Sequence, residues 1–163
     1  MRYASIDECE CCNGTGWGVS FYTQYCPFHC KGCFNPETHS KDGGFEYTEE
    51  TKNKILSLIE RKQIKRFSIL GGEPFTDEKI LPLIDLIVSI KKQRPDISIW
   101  IYSGRTYEEL LNVRHLFKLL LYCNVLVDGK FIEELKDERL AFRGSSNQRI
   151  LVKKSDKWEE INL

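Results

Sequence analysis

Four short runs rich in β-branched and aromatic residues, spaced by helix-length amphipathic stretches, constrain this 163-residue chain more than any other feature. Residues 18–25, 66–70, 98–102 and 125–127 read as successive strands. After the first, Thr48 is placed as a helix N-cap, with Glu49 and Glu50 in the first turn and Ile55, Leu58 and Ile59 on one stripe. Residues 77–92 predict a second helix carrying Ile80, Leu83, Ile84, Ile87 and Val88 on one side. A third, strongly apolar helix is expected over 106–121, and residues 149–152 read as a last strand. Strands alternating with helices predict right-handed βαβ units around a parallel sheet. The fold class is therefore α/β, as a partial (β/α) barrel, because a complete eight-stranded barrel usually takes about 250 residues. No repeat, low-complexity tract or linker divides the chain, so residues 1–163 are expected to form one domain.

Each strand runs into residues suited to chemistry: Cys26 to Cys33, Gly71-Gly72-Glu73-Pro74, Ser103-Gly104 and Asp128-Gly129. In parallel α/β folds the carboxyl ends of the strands share one edge, where ligands bind. Four separated segments are thus expected to converge on one site. Lys and Arg, 24 together, balance 24 Asp and Glu, which argues against the basic footprint of a nucleic-acid binder. No apolar run approaches a membrane span and the N-terminus lacks a signal-peptide core, so a cytoplasmic location is expected.

Seven cysteines are too few and too clustered for a disulfide scaffold. Cys26, Cys30 and Cys33 have the spacing Cys-x3-Cys-x2-Cys. Three thiolates can hold three irons of a cubane cluster and leave the fourth open to a substrate. By spacing alone, a structural zinc knuckle with His29 or His39 as fourth ligand remains an alternative. Cys9, Cys11 and Cys12 form a second group, read as incidental thiols near the site. Cys123, after an apolar helix, reads as a small buried hydrophobe.

The cysteine loop after the first strand and Gly-Gly-Glu-Pro after the second resemble the radical S-adenosylmethionine superfamily. The likeness is closest to the activating enzymes of anaerobic ribonucleoside-triphosphate reductase. It is carried further by Asn13-Gly14-Thr15-Gly16, by residues 32–38, by Leu126-Val127-Asp128-Gly129-Lys130-Phe131 and by Phe142-Arg143-Gly144-Ser145-Ser146-Asn147-Gln148. The cysteines at 9, 11 and 12 depart from that pattern.

This resemblance implies a radical SAM-type fold and a [4Fe–4S] cluster on Cys26, Cys30 and Cys33, with S-adenosylmethionine on the fourth iron. It also implies transfer of one electron to the sulfonium, and a glycyl radical made on the reductase large subunit by the resulting 5′-deoxyadenosyl radical. A flavodoxin-like protein would donate the electron. Among cofactor contacts it implies Gly32, for a tight turn between the cysteines Cys30 and Cys33, and Phe34, to cover the adenine. Gly71, Gly72 and Glu73 would meet the methionine amino group, and Ser103 and Asp128 the ribose or sulfonium region. Residues 143–148 would contact partner or cofactor, unless they form a plain surface turn, and residues 36–47 are the visible candidate for a lid. Other readings are a different small radical enzyme, acting on another glycyl-radical protein or a purine-like metabolite, and a non-catalytic iron–sulfur or zinc protein.

Overall fold

The computed structural model describes residues 1–155 and 157–163. Its centre is one mixed sheet of eight strands: β1 (Arg2–Glu10), β2 (Gly18–Thr23), β3 (Phe45–Glu46), β4 (Arg66–Gly71), β5 (Ser98–Ser103), β6 (Val125–Asp128), β7 (Arg149–Lys154) and β8 (Lys157–Ile161). They lie in the order β3-β1-β2-β4-β5-β6-β7-β8. The four central strands β2, β4, β5 and β6 pair in parallel, as the alternating pattern predicts. The flanking pairs, β1 with β2 and β3, β6 with β7, and β7 with β8, are antiparallel.

Helices α1 (Glu49–Ile59) and α2 (Asp77–Gln93) and the short pair α3 (Tyr107–Leu111) and α4 (Arg114–Leu120) make the crossovers. Thr48 caps α1 as expected, accepting the N–H of Thr51 while its own N–H is bound by the Thr51 side chain. The single helix expected over 106–121 is broken. Asn112 ends α3, its side chain donating to Glu108 O at 3.0 Å, and β-branched Val113 in a non-helical conformation starts α4. Val88, expected on the inner face of α2, is 44% exposed.

Side-chain alternation along the strands divides the interior into two faces. Val19, Phe21, Phe67, Ile69, Ile99, Ile101 and Leu126 pack with the buried sides of the helices in the main core. The opposite sides of β5, β6 and β7 form a smaller cluster of Trp100, Val125, Val127 and Ile150, against which Tyr102 and Phe142 pack. On β2 and β4 the intervening positions are Ser20, Tyr22, Arg66 and Ser68. Arg66 is fully buried there, held by Glu10 Oε1 at 2.7 Å, by Ser68 Oγ and by the carbonyl of Glu10.

Candidate iron–sulfur site

Where β2, β4, β5 and β6 end, the loops enclose a cavity of about 580 Å³. It is lined by Cys26, Cys30, Cys33 and Phe34 after β2, by Gly71, Gly72 and Glu73 after β4, and by Ser103 and Gly104 after β5. Gly129 contributes from the end of β6, and Tyr22 and Tyr102 from the strands themselves. The convergence expected from strand-end punctuation is what the structure shows.

The cysteine loop leaves β2 through Tyr25, which holds the left-handed conformation (φ 73°) although it is not glycine. Its carbonyl is fixed by the Glu73 N–H at 3.0 Å and by Lys79 Nζ at 2.8 Å. Gly32 (φ 70°) lies in the turn that closes with Cys33 N–H donating to Cys30 O at 3.2 Å. Gly72 is required by space: a Cβ there would stand 2.4 Å from Tyr25 O, so a side chain would separate the two loops. Gly72 N–H instead reaches Thr23 O at 2.8 Å.

Burial is the largest influence on Cys26 and Cys33, and it pushes both thiols up from their ordinary value. Backbone N–H groups oppose it, from Phe28 and His29 at Cys26 and from Asn35, 3.4 Å from Cys33 Sγ. Half-buried sulfurs with N–H donors aimed at them become thiolates once bound cations supply positive charge, so the donor set fits an iron–sulfur cluster. Among the described residues no three Cys, His, Asp or Glu side chains converge on one point as a single ion would need. A cubane asks instead for one sulfur at each of three corners. The His29 ring packs edge-on against His39, their centroids 4.7 Å apart.

Glu73 is 2% exposed. Its carboxylate accepts from Phe75 N–H at 3.0 Å, Ser103 Oγ at 2.9 Å and Gly104 N–H at 2.8 Å. Burial pushes its pKa up, while those three donors pull the other way. Glu73 and Ser103 thus clamp the loops after β4 and β5 to each other. Asp128 is not among the lining residues. It is 1% exposed, pairs with Arg149 (Nε to Oδ1, 3.0 Å) and accepts the Tyr107 N–H at 2.7 Å, anchoring α3.

Several participants were not foreseen from the sequence. The Tyr102 hydroxyl is buried without a hydrogen-bond partner among the described residues, and Tyr22 OH accepts from Asn13 Nδ2 at 3.1 Å. Lys79 is 1% exposed, and burial lowers its pKa to about 8. Cys12 also lines the cavity, and Cys123 is buried as expected.

The covering segment differs from the expected one. Residues 36–47 are tied down away from the cavity, by Gln24 Nε2 to Glu37 O and Ser40 O and by Arg2 to Gly43 O and Gly44 O. The cavity is flanked instead by the β6–β7 connection, residues 129–148, which contributes Phe131, Leu140, Phe142 and Gly144. Phe34 is 59% exposed and meets Phe131 edge-on, centroids 5.2 Å apart. Lys31 and Glu133 form a 2.8 Å ion pair across the same junction. Residues 143–148 buckle this connection. Gln148 Oε1 accepts from Gly144 and Ser145 N–H, its Nε2 donates to Gly129 O, and Asn147 Nδ2 donates to Lys130 O.

Residues 12–151 match the model of the 4Fe-4S single cluster domain family. The chain is 37% identical to the anaerobic ribonucleoside-triphosphate reductase-activating protein of Vibrio cholerae, over 92% of this chain and 97% of that one. The Escherichia coli K12 protein of the same name is 32% identical, over 91% and 96%. That of enterobacteria phage T4 is 28% identical, over 98% and 99%. With its three cysteines on one cavity wall and its likeness running nearly end to end, the chain belongs to the family of anaerobic ribonucleoside-triphosphate reductase-activating proteins built on a 4Fe-4S single cluster domain.

Proposed function

We propose that this protein is a radical S-adenosylmethionine activase that installs a glycyl radical on the large subunit of anaerobic ribonucleoside-triphosphate reductase. The observation that carries the reading is the convergence of Cys26, Cys30 and Cys33 with three strand-end loops on one cavity, in a chain of this family. Held by Cys26, Cys30 and Cys33, a [4Fe–4S] cluster would supply the one-electron chemistry needed to cleave S-adenosylmethionine and, through it, to generate a glycyl radical on the reductase. The chain's own part is to bind, orient and exclude water.

In this reading the exposed face of Phe34 covers the adenine, and the backbone at Gly71 and Gly72 receives the methionine end. The Glu73–Ser103 clamp keeps those loops in register. Tyr102 OH, with no hydrogen-bond partner among the described residues, offers a polar contact on the cavity wall. The parallel strands, with helices packed on one face, support reading the sheet as a partial (β/α) barrel and residues 1–163 as one domain. A flavodoxin-like donor and a cytoplasmic location go with this proposal; among the described residues no helix is long and apolar enough to cross a membrane.

The test is anaerobic incubation of the reconstituted protein with reductase, S-adenosylmethionine and a reductant. A glycyl-radical signal by electron paramagnetic resonance is expected, and its loss in Cys30→Ala. Cofactor cleavage without a radical on the reductase would point to another substrate. Zinc bound in place of iron and sulfide would end the proposal.

A further inference from the structure

Lys79 carries a buried charge that the reading above leaves unused. It stands on the first turns of α2, and its ammonium donates to Tyr25 O at 2.8 Å and to Glu73 O at 2.6 Å. Those carbonyls belong to the two loops that meet at the cavity: Tyr25 immediately precedes Cys26, and Glu73 closes Gly71-Gly72-Glu73. The Tyr25 ring also lies 5.7 Å from the same ammonium. Among the described residues Lys79 has no carboxylate at ion-pair distance; the acidic groups around it are Glu78, Glu73 and the Cys26 thiol, which becomes anionic only when it binds metal.

A buried cation whose hydrogen bonds go to neutral carbonyls is costly unless a nearby anion compensates it. Surface lysines that merely cover apolar groups keep their heads in water, and this one does not. What gathers beside it is the cluster loop, whose three thiolates make a bound [4Fe–4S] unit anionic. Adding the electron increases that negative charge by one, so a fixed cation nearby favours the reduced form. The left-handed Tyr25 gives a second reason. A non-glycine residue at φ 73° persists when its surroundings over-determine it, and Lys79 supplies one of the two donors holding its carbonyl.

We propose that Lys79 is a positioning residue for the cluster: it staples the Tyr25 and Glu73 carbonyls together and, kept protonated by the anionic cluster beside it, places a positive charge that eases reduction of the cluster. The proposal rests on the cluster assignment above. It adds a role for a residue outside the cysteine motif and outside the cavity wall.

The experiment compares the parent with Lys79→Met and Lys79→Arg, each reconstituted anaerobically. Iron and sulfide are measured first, then the reduction potential by a titration followed by electron paramagnetic resonance, and hydrogen exchange at the Glu73 amide in the cluster-free proteins. Lys79→Met is expected to load iron and sulfide but to shift the reduction equilibrium at least tenfold against the reduced form, about 59 mV for one electron. Its Glu73 amide should exchange at least tenfold faster. Lys79→Arg should restore the potential to within threefold in equilibrium constant. If Lys79→Met fails to load while Lys79→Arg loads at the parent potential, the charge is required and the proposal stands. A parent-like potential in Lys79→Met, or equal damage in both variants, overturns it. A parent that takes up no iron or sulfide would instead remove the cluster assignment itself, which sets the two failures apart.

Discussion

Ser103 donates its hydroxyl to Glu73 Oε1 at 2.9 Å, joining the residue that ends β5 to the loop that follows β4. Because Glu73 is buried and also accepts from the N–H groups of Phe75 and Gly104, it ties the loop after β4 to the loop after β5. Ser103→Ala is expected to cost about 1–3 kcal/mol, the range for leaving a buried polar group without its partner. Anaerobic urea unfolding of the cluster-free protein measures this. On the proposed function, the same substitution should weaken S-adenosylmethionine binding more than it lowers iron content, since Ser103 is remote in the chain from the proposed cysteine ligands but shares their cavity.

The Glu10–Arg66 pair buries a guanidinium completely on the helix-free side of β4. Glu10 additionally accepts from the N–H groups of Cys12 and Asn13, so the pair anchors the segment between β1 and β2. Removing one partner strands the other charge, and Arg66→Met should destabilise by about 3–5 kcal/mol. Glu10→Gln with Arg66→Met should cost less than the two single losses added together. A cycle that proves additive within about 0.5 kcal/mol would show the pair uncoupled.

The central strands could be read directly because both signals agree on them. Val19 and Phe21, Phe67 and Ile69, and Ile99 and Ile101 alternate toward the helices, and Gly or Cys stands at or just beyond the end of each strand. β1 and β8 escaped that reading because they flank the sheet and most of their side chains face solvent, so Glu8, Glu159 and Glu160 mask the alternation. Residues 129–148 could not be read as a cover, since they have no period at all. Their order comes from Gln148 and Asn147 reaching back 4–19 residues to backbone groups. Nothing in the sequence singled out Lys79, because burial of its ammonium depends on where the loops before Cys26 and after Gly72 meet. Asp128 was legible as chemistry at a strand end, but Arg149 on the neighbouring β7 claims its carboxylate.

Arg149 also grips Glu108, with Nη1 to Oε1 at 3.1 Å and Nη2 to Oε2 at 2.7 Å. That bidentate bond holds the Glu108 pKa down to about 2 from an ordinary 4.5. Between those values the unfolded chain binds more protons than the folded one, so stability rises with pH across the window. The contribution is complete above about pH 4.5 and lost as pH falls toward 2. Glu108→Gln should therefore flatten part of the acid limb of the stability–pH curve and leave its shape above pH 5 unchanged. An acid limb identical to the parent's would mean that solvent screening cancels the pair.

The two cysteine groups should separate cleanly on substitution. Cys26 and Cys33 have backbone N–H groups directed at their sulfurs and are pushed up by burial, the environment in which metal binding must supply the ionisation. Cys9, Cys11 and Cys12 are exposed at the end of β1, and Cys12 reaches the cavity wall because the Glu10 carboxylate holds its backbone there. Replacing Cys9, Cys11 and Cys12 together by Ser should thus retain about four iron and four sulfide per chain. Cys33→Ser should lose most of both. Iron and acid-labile sulfide determined on the anaerobically reconstituted proteins decide the matter. Loss of iron in the triple variant would give Cys12 a ligand's role and make the cavity wall, rather than the Cys26–Cys33 loop alone, the cradle of the cluster.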